Sequence, residues 1–250
     1  MKKNVTLLVM VVCLMSGEAF ASNCAELARR IWRLSSEISD GITAFNRREA
    51  VQRIALEAKR NELAKAFAAV CQAKESLQKD EGYFKACAEY KQTAGELSRM
   101  ESETLCRENE HVGELVGEME RLEKAFEALN ERMVQETDIE LAWEAVGGQG
   151  FQYQVRSCIG LLKNQMDAVA GHVSLDAELA AIVKCVDAFS SQMDGASAHG
   201  MLRRQSTALK ELVVLLNQVS VTLDATIDGK ELVGTAGMAD GDGEEATSTL

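Results

Sequence analysis

No proline occurs among the 250 residues of this chain, and that absence restricts what it can fold into. Proline is the residue that most reliably ends or kinks a helix, and average usage would supply about a dozen in this length. Apolar residues recur every three or four positions, which is the helical period, and they do not alternate as in a half-buried strand. The sequence therefore predicts an all-α protein with unusually long helices.

The first 21 residues have the layout of a secretory signal peptide. Lysines at positions 2 and 3 precede eleven apolar or small residues, and Ala-Phe-Ala ends at Ala21. The apolar run is too short to span a membrane, which takes about 20 residues. We expect cleavage after Ala21 and a secreted or cell-surface protein, with the formal net charge moving from −12 to −13 on loss of two lysines and one glutamate. Such an acidic chain would repel nucleic acid and anionic membranes, so neither is an expected partner.

The helical repeat is clearest in the middle of the chain, where apolar residues are spaced 3-4-3-4-3-4 as in a coiled-coil seam. The residues of this seam are Val112, Leu115, Met119, Leu122, Phe126, Leu129 and Met133. In the first helix a similar seam shifts phase near Asn46 and is predicted to resume with Val51, Ile54 and Ala58, which indicates a stutter or a mild kink.

Glycine-rich segments divide the chain into helices. The strongest breaks are 147–150 and 195–200. A weaker break at 171–174 leaves the third segment as one helix or as two. The expected helices cover about 23–78, 83–145, 151–194 and the segment from 201 onward.

The end of the sequence differs in composition from the rest. Residues 228–250 are rich in Gly, Asp, Glu, Ser and Thr, so we expect a disordered acidic tail. No apolar stretch follows, and we expect no membrane anchor in this chain. The predicted layout is a signal peptide at 1–21, a helical bundle ectodomain at 22–227 and the tail at 228–250.

Six cysteines follow the signal peptide, and cysteines of secreted proteins are normally oxidised. Bonded Cα atoms lie about 4.4–6.8 Å apart, so partners in an antiparallel helical hairpin must lie at equal distances from its turn. Cys71 and Cys87 are centred on the first predicted turn. Cys106 and Cys185 are centred just before the glycine run.

The remaining two cysteines provide a test of this symmetry. Reflected through the two turns, Cys24 and Cys158 reach the same level of the second helix. The pattern favours an elongated, coiled-coil-like three-helix bundle with an additional C-terminal helix, clamped by Cys24–Cys158, Cys71–Cys87 and Cys106–Cys185. A rival pairs Cys158 with Cys185 about residues 171–172, and it leaves Cys24 and Cys106 about 40 Å apart along a helix.

No catalytic motif accompanies these features. The cysteines lack the close Cys/His spacing of a zinc site and the C-x-x-C spacing of a redox pair. His111, His172 and His199 are scattered and are interpreted as surface residues. The acidic runs at 101–103 and 118–120 are interpreted as solvated helix faces, with no buried general acid. We expect no enzymatic activity, no cofactor and no metal.

Three aromatic residues flank the glycine run: Trp143, Phe151 and Tyr153. Aromatic residues beside a loop can form a protein-binding hot spot, and the alternative is that they close the end of the bundle. Tyr83 and Phe84, at the opposite turn, are a weaker candidate of the same type.

Residues 63–71 (Leu-Ala-Lys-Ala-Phe-Ala-Ala-Val-Cys) and 83–87 (Tyr-Phe-Lys-Ala-Cys) carry a family resemblance. With its signal peptide and long proline-free helices, the chain resembles the ectodomains of trypanosome invariant surface glycoproteins. The resemblance implies an elongated three-helix bundle that projects from a cell surface and binds a host serum protein.

Two hypotheses for function follow. The first is a non-enzymatic, receptor-like secreted or cell-surface protein whose partner is a host or other extracellular protein. The alternative is a structural coat or periplasmic coiled-coil spacer without a ligand, for which the Lys-Lys start and Ala-Phe-Ala box are equally suited. A stable homo-oligomer would favour the alternative.

Overall fold

A computed structural model of the chain describes residues 2–75, 81–134, 148–171, 173–190 and 198–239. Within these ranges the chain forms five helices and no strand, so the predicted all-α class is confirmed. The helices are α1 (Lys2–Glu75), α2 (Glu81–Val134), α3 (Gly148–Ala170), α4 (Asp176–Ser190) and α5 (Ala198–Ala239).

The helix boundaries settle one open point and change another. The third predicted segment is two helices, because the chain breaks after Ala170 and α4 starts at Asp176. The carbonyl of Leu175 accepts the first backbone bond of α4, from the amide of Leu179 at 2.8 Å. At the other end, α5 continues to Ala239, so residues 228–239, predicted as part of a disordered tail, are helical.

The chain divides into two compact units, where the sequence predicted one ectodomain. Unit 1 contains Met1–Ala44 and Val112–Val219, and unit 2 contains Phe45–His111 and Ser220–Leu250. Each unit combines segments that are distant in sequence, because α1, α2 and α5 contribute to both.

Unit 1 has an apolar core built from helical seams. All seven predicted seam residues of α2 are buried, which confirms that pattern. In α5 the residues buried at the same spacing are Leu209, Leu212, Leu216, Val219 and Leu223. At the centre, the ring of Phe126 lies 5.7 Å from that of Phe151 and 6.0 Å from that of Phe189. This cluster joins α2, α3 and α4.

Unit 2 pairs α1 and α2 as antiparallel helices. The ring of Phe45 stacks on that of His111 with centroids 3.9 Å apart. The predicted phase shift in α1 is wrong, because Val51 and Ile54 are 69% and 72% exposed. The inward position between Phe45 and Leu56 belongs instead to Glu49, which is buried and ion-paired.

Candidate functional site

One part of unit 2 has no buried side chain. Between Leu56 on α1 and Leu97 on α2, every described residue is exposed or half-buried. The half-buried apolar side chains, which we call the hairpin seam, are Leu63, Ala66, Val70, Ala73, Tyr83, Ala86, Cys87, Tyr90 and Ala94. Residues 57–74 and 81–96 are called the hairpin below. Its two helices meet along this seam, and no described side chain of the seam is fully buried.

Composition explains why the hairpin stays open. Residues 57–96 include nine alanines, whose short side chains leave little apolar area for two helices to bury between them. The same segment has seven basic and seven acidic residues, so it is formally neutral in a chain of net charge −12. An acidic partner would therefore meet no net repulsion at this surface.

Aromatic side chains project from the hairpin. Phe67 is 56% exposed and Phe84 is 64% exposed. The ring of Phe67 lies 5.9 Å from that of Tyr90 across the two helices, and the ring of Phe84 lies 5.9 Å from that of Tyr83. Large aromatic side chains of this kind supply much of the binding energy at protein interfaces.

Ion pairs at the base of the hairpin fix its register. Lys59 Nζ lies 2.6 Å from Glu62 and 2.9 Å from Glu96 on the opposite helix. The pKa of Lys59 is raised by its hydrogen bonds, first to Glu62 and then to Glu96, and the Lys59 bond lowers the pKa of Glu96. Exposed pairs contribute little to stability, so their main effect is on alignment.

The predicted aromatic site at the glycine run is not assembled as expected. Phe151 is buried in the core of unit 1, which matches the alternative that it closes the bundle. Tyr153, two positions along α3, is 76% exposed and faces away from that core. Trp143 lies outside the described residues. The weaker pair, Tyr83 and Phe84, belongs to the hairpin.

The hairpin brings Cys71 and Cys87 to nearly the same height. Cys71 is four residues past Phe67 on α1, and Cys87 is three residues before Tyr90 on α2. Both therefore lie about 5 Å nearer the turn than the Phe67–Tyr90 ring pair. Cys87 also forms a side-chain hydrogen bond with Tyr83, which raises the pKa of Tyr83.

The other two predicted disulfides are Cys24–Cys158 and Cys106–Cys185. Cys158 forms a side-chain hydrogen bond with Ser39, fifteen residues along α1 from Cys24. That separation is about 22 Å of helix, so the structure does not bring Cys24 and Cys158 together. Cys106 and Cys185 belong to different units.

The thiols of unit 1 are shielded by the core. Burial raises the pKa of Cys158 to about 12 and that of Cys185 to about 11, so neither is a ready nucleophile. In the described residues, which include all six cysteines, no disulfide is formed. The Cys71–Cys87 and Cys106–Cys185 bonds stay predictions.

A buried polar cluster was missed by the sequence analysis. Glu49, Glu108 and His111 are all less than 6% exposed, so the interpretation of His111 as a surface residue and of the carboxylates as solvated is wrong for these three. Arg107 donates from Nε and Nη2 to the two carboxylate oxygens of Glu49 at 3.0 and 3.3 Å. Glu49 and Glu108 fall on the 3-4 spacing of the inward-facing residues of their helices. That spacing is the sequence signal from which their burial could have been predicted.

Burial changes the acidity of this cluster. Desolvation raises the pKa of Glu108 to about 7, against the opposing pull of Arg53, while Glu49 raises it further. No group of three or more His, Cys, Asp or Glu side chains able to hold a metal ion is present in the searched, described residues.

Comparison of the chain with models of known protein families, with curated proteins and with solved structures finds no match.

Proposed function

We propose that the protein is a non-enzymatic helical binding protein, secreted or displayed on a cell surface, and that the hairpin contacts an extracellular protein. The observation that carries the proposal is the hairpin, in which the seam has no fully buried side chain and Phe67 and Phe84 are exposed beside it. Isolated apolar residues are common on protein surfaces, but two exposed aromatic side chains on one hairpin, beside an apolar seam that is only half-buried, favour an interaction site.

The chemistry of the hairpin defines the kind of partner. Alanines along both helices make a shallow surface on which another helix or a flat apolar patch can approach closely. Phe67 and Phe84 supply anchors that would enter pockets of the partner. The formal neutrality of residues 57–96 permits binding to an acidic partner without net repulsion.

The location and the family resemblance are parts of the same proposal. The signal-like residues 1–21 would send the chain out of the cell. The segments that resemble invariant surface glycoproteins, 63–71 and 83–87, both lie in the hairpin, so the resemblance concerns the proposed contact surface.

The test compares two double variants of the mature chain, residues 22–250. Immobilised wild-type protein is exposed to serum, and retained proteins are identified and quantified. The double variant Phe67→Ser with Phe84→Ser should retain at least tenfold less of any serum protein that wild type retains specifically, because both anchors are removed. The matched control is Tyr153→Ser with Val214→Ser, which removes similar exposed apolar area from unit 1 and should retain it fully.

Two results would contradict this proposal. Equal retention by both double variants, or loss only in the Tyr153 variant, would place the contact outside the hairpin. If wild type retains nothing but self-associates in sedimentation experiments, and the Phe67/Phe84 variant is monomeric, the coat or spacer alternative is correct.

A further inference from the structure

A second surface, in unit 1, has the opposite character to the hairpin. A groove of about 810 Å³ lies between α1 and the end of α2. Arg29, Arg30 and Arg33 line it from α1, and Arg132 lines it from α2. We call it the arginine groove. Its volume is within the range of sites that hold small ligands.

The charge of the groove is unusual for this protein. Four arginines line it against two acidic residues, Glu26 and Glu131, so its lining is positive in a chain of net charge −12. In the described part of the chain, the guanidinium groups of Arg29, Arg30 and Arg33 have no ion pair or hydrogen bond with another side chain. Three unpaired cations facing one groove are available for an anionic ligand.

The spacing of the arginines and the chemistry of the guanidinium group restrict the class of ligand that the groove can bind. Arg29 and Arg33 are one helical turn apart, about 6 Å along α1, and Arg30 lies beside them. Guanidinium groups bind sulfate and carboxylate oxygens through paired N–H donors, which makes arginine the preferred cation for oxyanions. A ligand with several oxyanions spaced a few ångströms apart would satisfy this row.

We propose that the arginine groove binds a short sulfated glycan. A sulfated oligosaccharide carries several oxyanions on each repeat and fits a groove of this volume. The acidic remainder of the chain would repel a long polyanion such as a nucleic acid, so a short glycan segment is favoured. The extracellular location that would expose the groove to such glycans rests on the proposed function.

Signal-peptide removal would strengthen the groove. Asn23, which also lines it, is the second residue of the mature chain if cleavage follows Ala21. The new α-amino group at Ser22 would add a positive charge near the groove, since such groups have a pKa of about 7.7–8.0.

The test is titration of the mature chain with a heparin-derived tetrasaccharide in about 0.15 M salt. Wild type should bind it, and should bind an unsulfated tetrasaccharide of the same length at least tenfold more weakly. Arg29→Gln with Arg33→Gln should weaken binding at least tenfold. The matched control is Arg203→Gln with Arg204→Gln, two exposed arginines of α5 outside the groove, and should bind as wild type does.

Three results would overturn the glycan proposal: no binding in about 0.15 M salt, equal weakening by both double variants, or equal binding of a sialylated tetrasaccharide that carries no sulfate. Circular dichroism should show unchanged folding, since Arg29 and Arg33 are exposed. The serum-retention assay on Arg29→Gln with Arg33→Gln separates the two proposals. Retention by the hairpin should persist in that variant whether or not the groove binds a glycan.

Discussion

At the scale of single residues, the polar core of unit 2 is where packing and charge conflict most. Glu108 is 1% exposed, and taking a carboxylate out of water favours its neutral form. Arg53 and Arg107 favour the charged form, while Glu49 opposes it. Burial dominates, so the pKa of Glu108 rises to about 7.

This shift predicts that acidification stabilises unit 2 through Glu108. The folded state holds its proton up to about pH 7, whereas the unfolded chain loses it near pH 4.3. Stability therefore falls as pH rises through that interval. Glu108→Gln should reduce the difference in unfolding free energy between pH 5 and pH 8 by roughly 1–3 kcal/mol, as measured by chemical denaturation at the two pH values.

The comparison for this prediction is Glu110→Gln, an exposed carboxylate on the same helix. Burial also raises the pKa of Glu118. Its contribution to the pH dependence of stability is the same in wild type and in both variants, so it cancels when they are compared. If Glu110→Gln flattens the pH dependence as much as Glu108→Gln does, Glu108 is not its source.

At the scale of helices, a reciprocal amide pair connects α3 and α5 in the core of unit 1. Gln152 Nε2 donates to Gln205 Oε1 at 3.0 Å, and Gln205 Nε2 donates to Gln152 Oε1 at 2.6 Å. Both residues are buried. A buried amide that loses its partner cannot recover the bond from water.

The effects of the two replacements on unfolding free energy should not add. The second replacement should recover most of the stability that the first one costs. Gln152→Leu alone should cost roughly 1–3 kcal/mol of unfolding free energy, because Gln205 loses its main partner. Adding Gln205→Leu should return stability to within about 1 kcal/mol of wild type. Asn164→Leu, exposed on α3, should change it by less than about 0.5 kcal/mol. Additive losses in the double variant would contradict this coupling.

The hairpin also makes a covalent prediction. Since Cys71 and Cys87 lie at nearly the same height, we expect them to be joined in protein secreted from cells. Tryptic cleavage after Lys74 and Lys85 separates the two cysteines, so non-reducing peptide mapping should recover one linked peptide pair. In Cys87→Ser, Cys71 should become open to alkylation because it is exposed. Recovery of Cys71 and Cys87 in separate, unlinked peptides would contradict this prediction.

At the scale of the whole molecule, α5 raises the question of membrane insertion. Among the residues searched, the segment Gly200–Gly229 is the one helix long and apolar enough to cross a membrane. Its apolar length combines the buried seam with exposed valines at 214 and 221. Lys210, within the apolar stretch, lies 2.7 Å from Glu127 and 3.6 Å from Glu123 on α2.

We expect α5 to pack within the folded protein and not in a bilayer, because insertion would strip its seam and Lys210 from their partners. The mature chain should partition into the aqueous phase of a Triton X-114 separation. Lys210→Leu, which increases the apolar character, should partition in the same way. Recovery of wild type in the detergent phase would mean that α5 leaves the fold.

The sequence by itself determined the helical class and the seam of α2. Those features follow from local propensity and from apolar spacing, which any stretch of chain carries alone. Tertiary structure decided that Glu49, Glu108 and His111 are buried while Val51 and Ile54 are exposed, because only the facing helix supplies the arginine and the aromatic ring that make such burial tolerable. It also decided which candidate contact residues are exposed. Phe151 lies in the core, where it packs against Phe126 of α2, whereas Phe67 and Phe84 are exposed on the hairpin. The absence of proline allowed the long helices, but the packing of each helix against its neighbours decided which side chains are exposed.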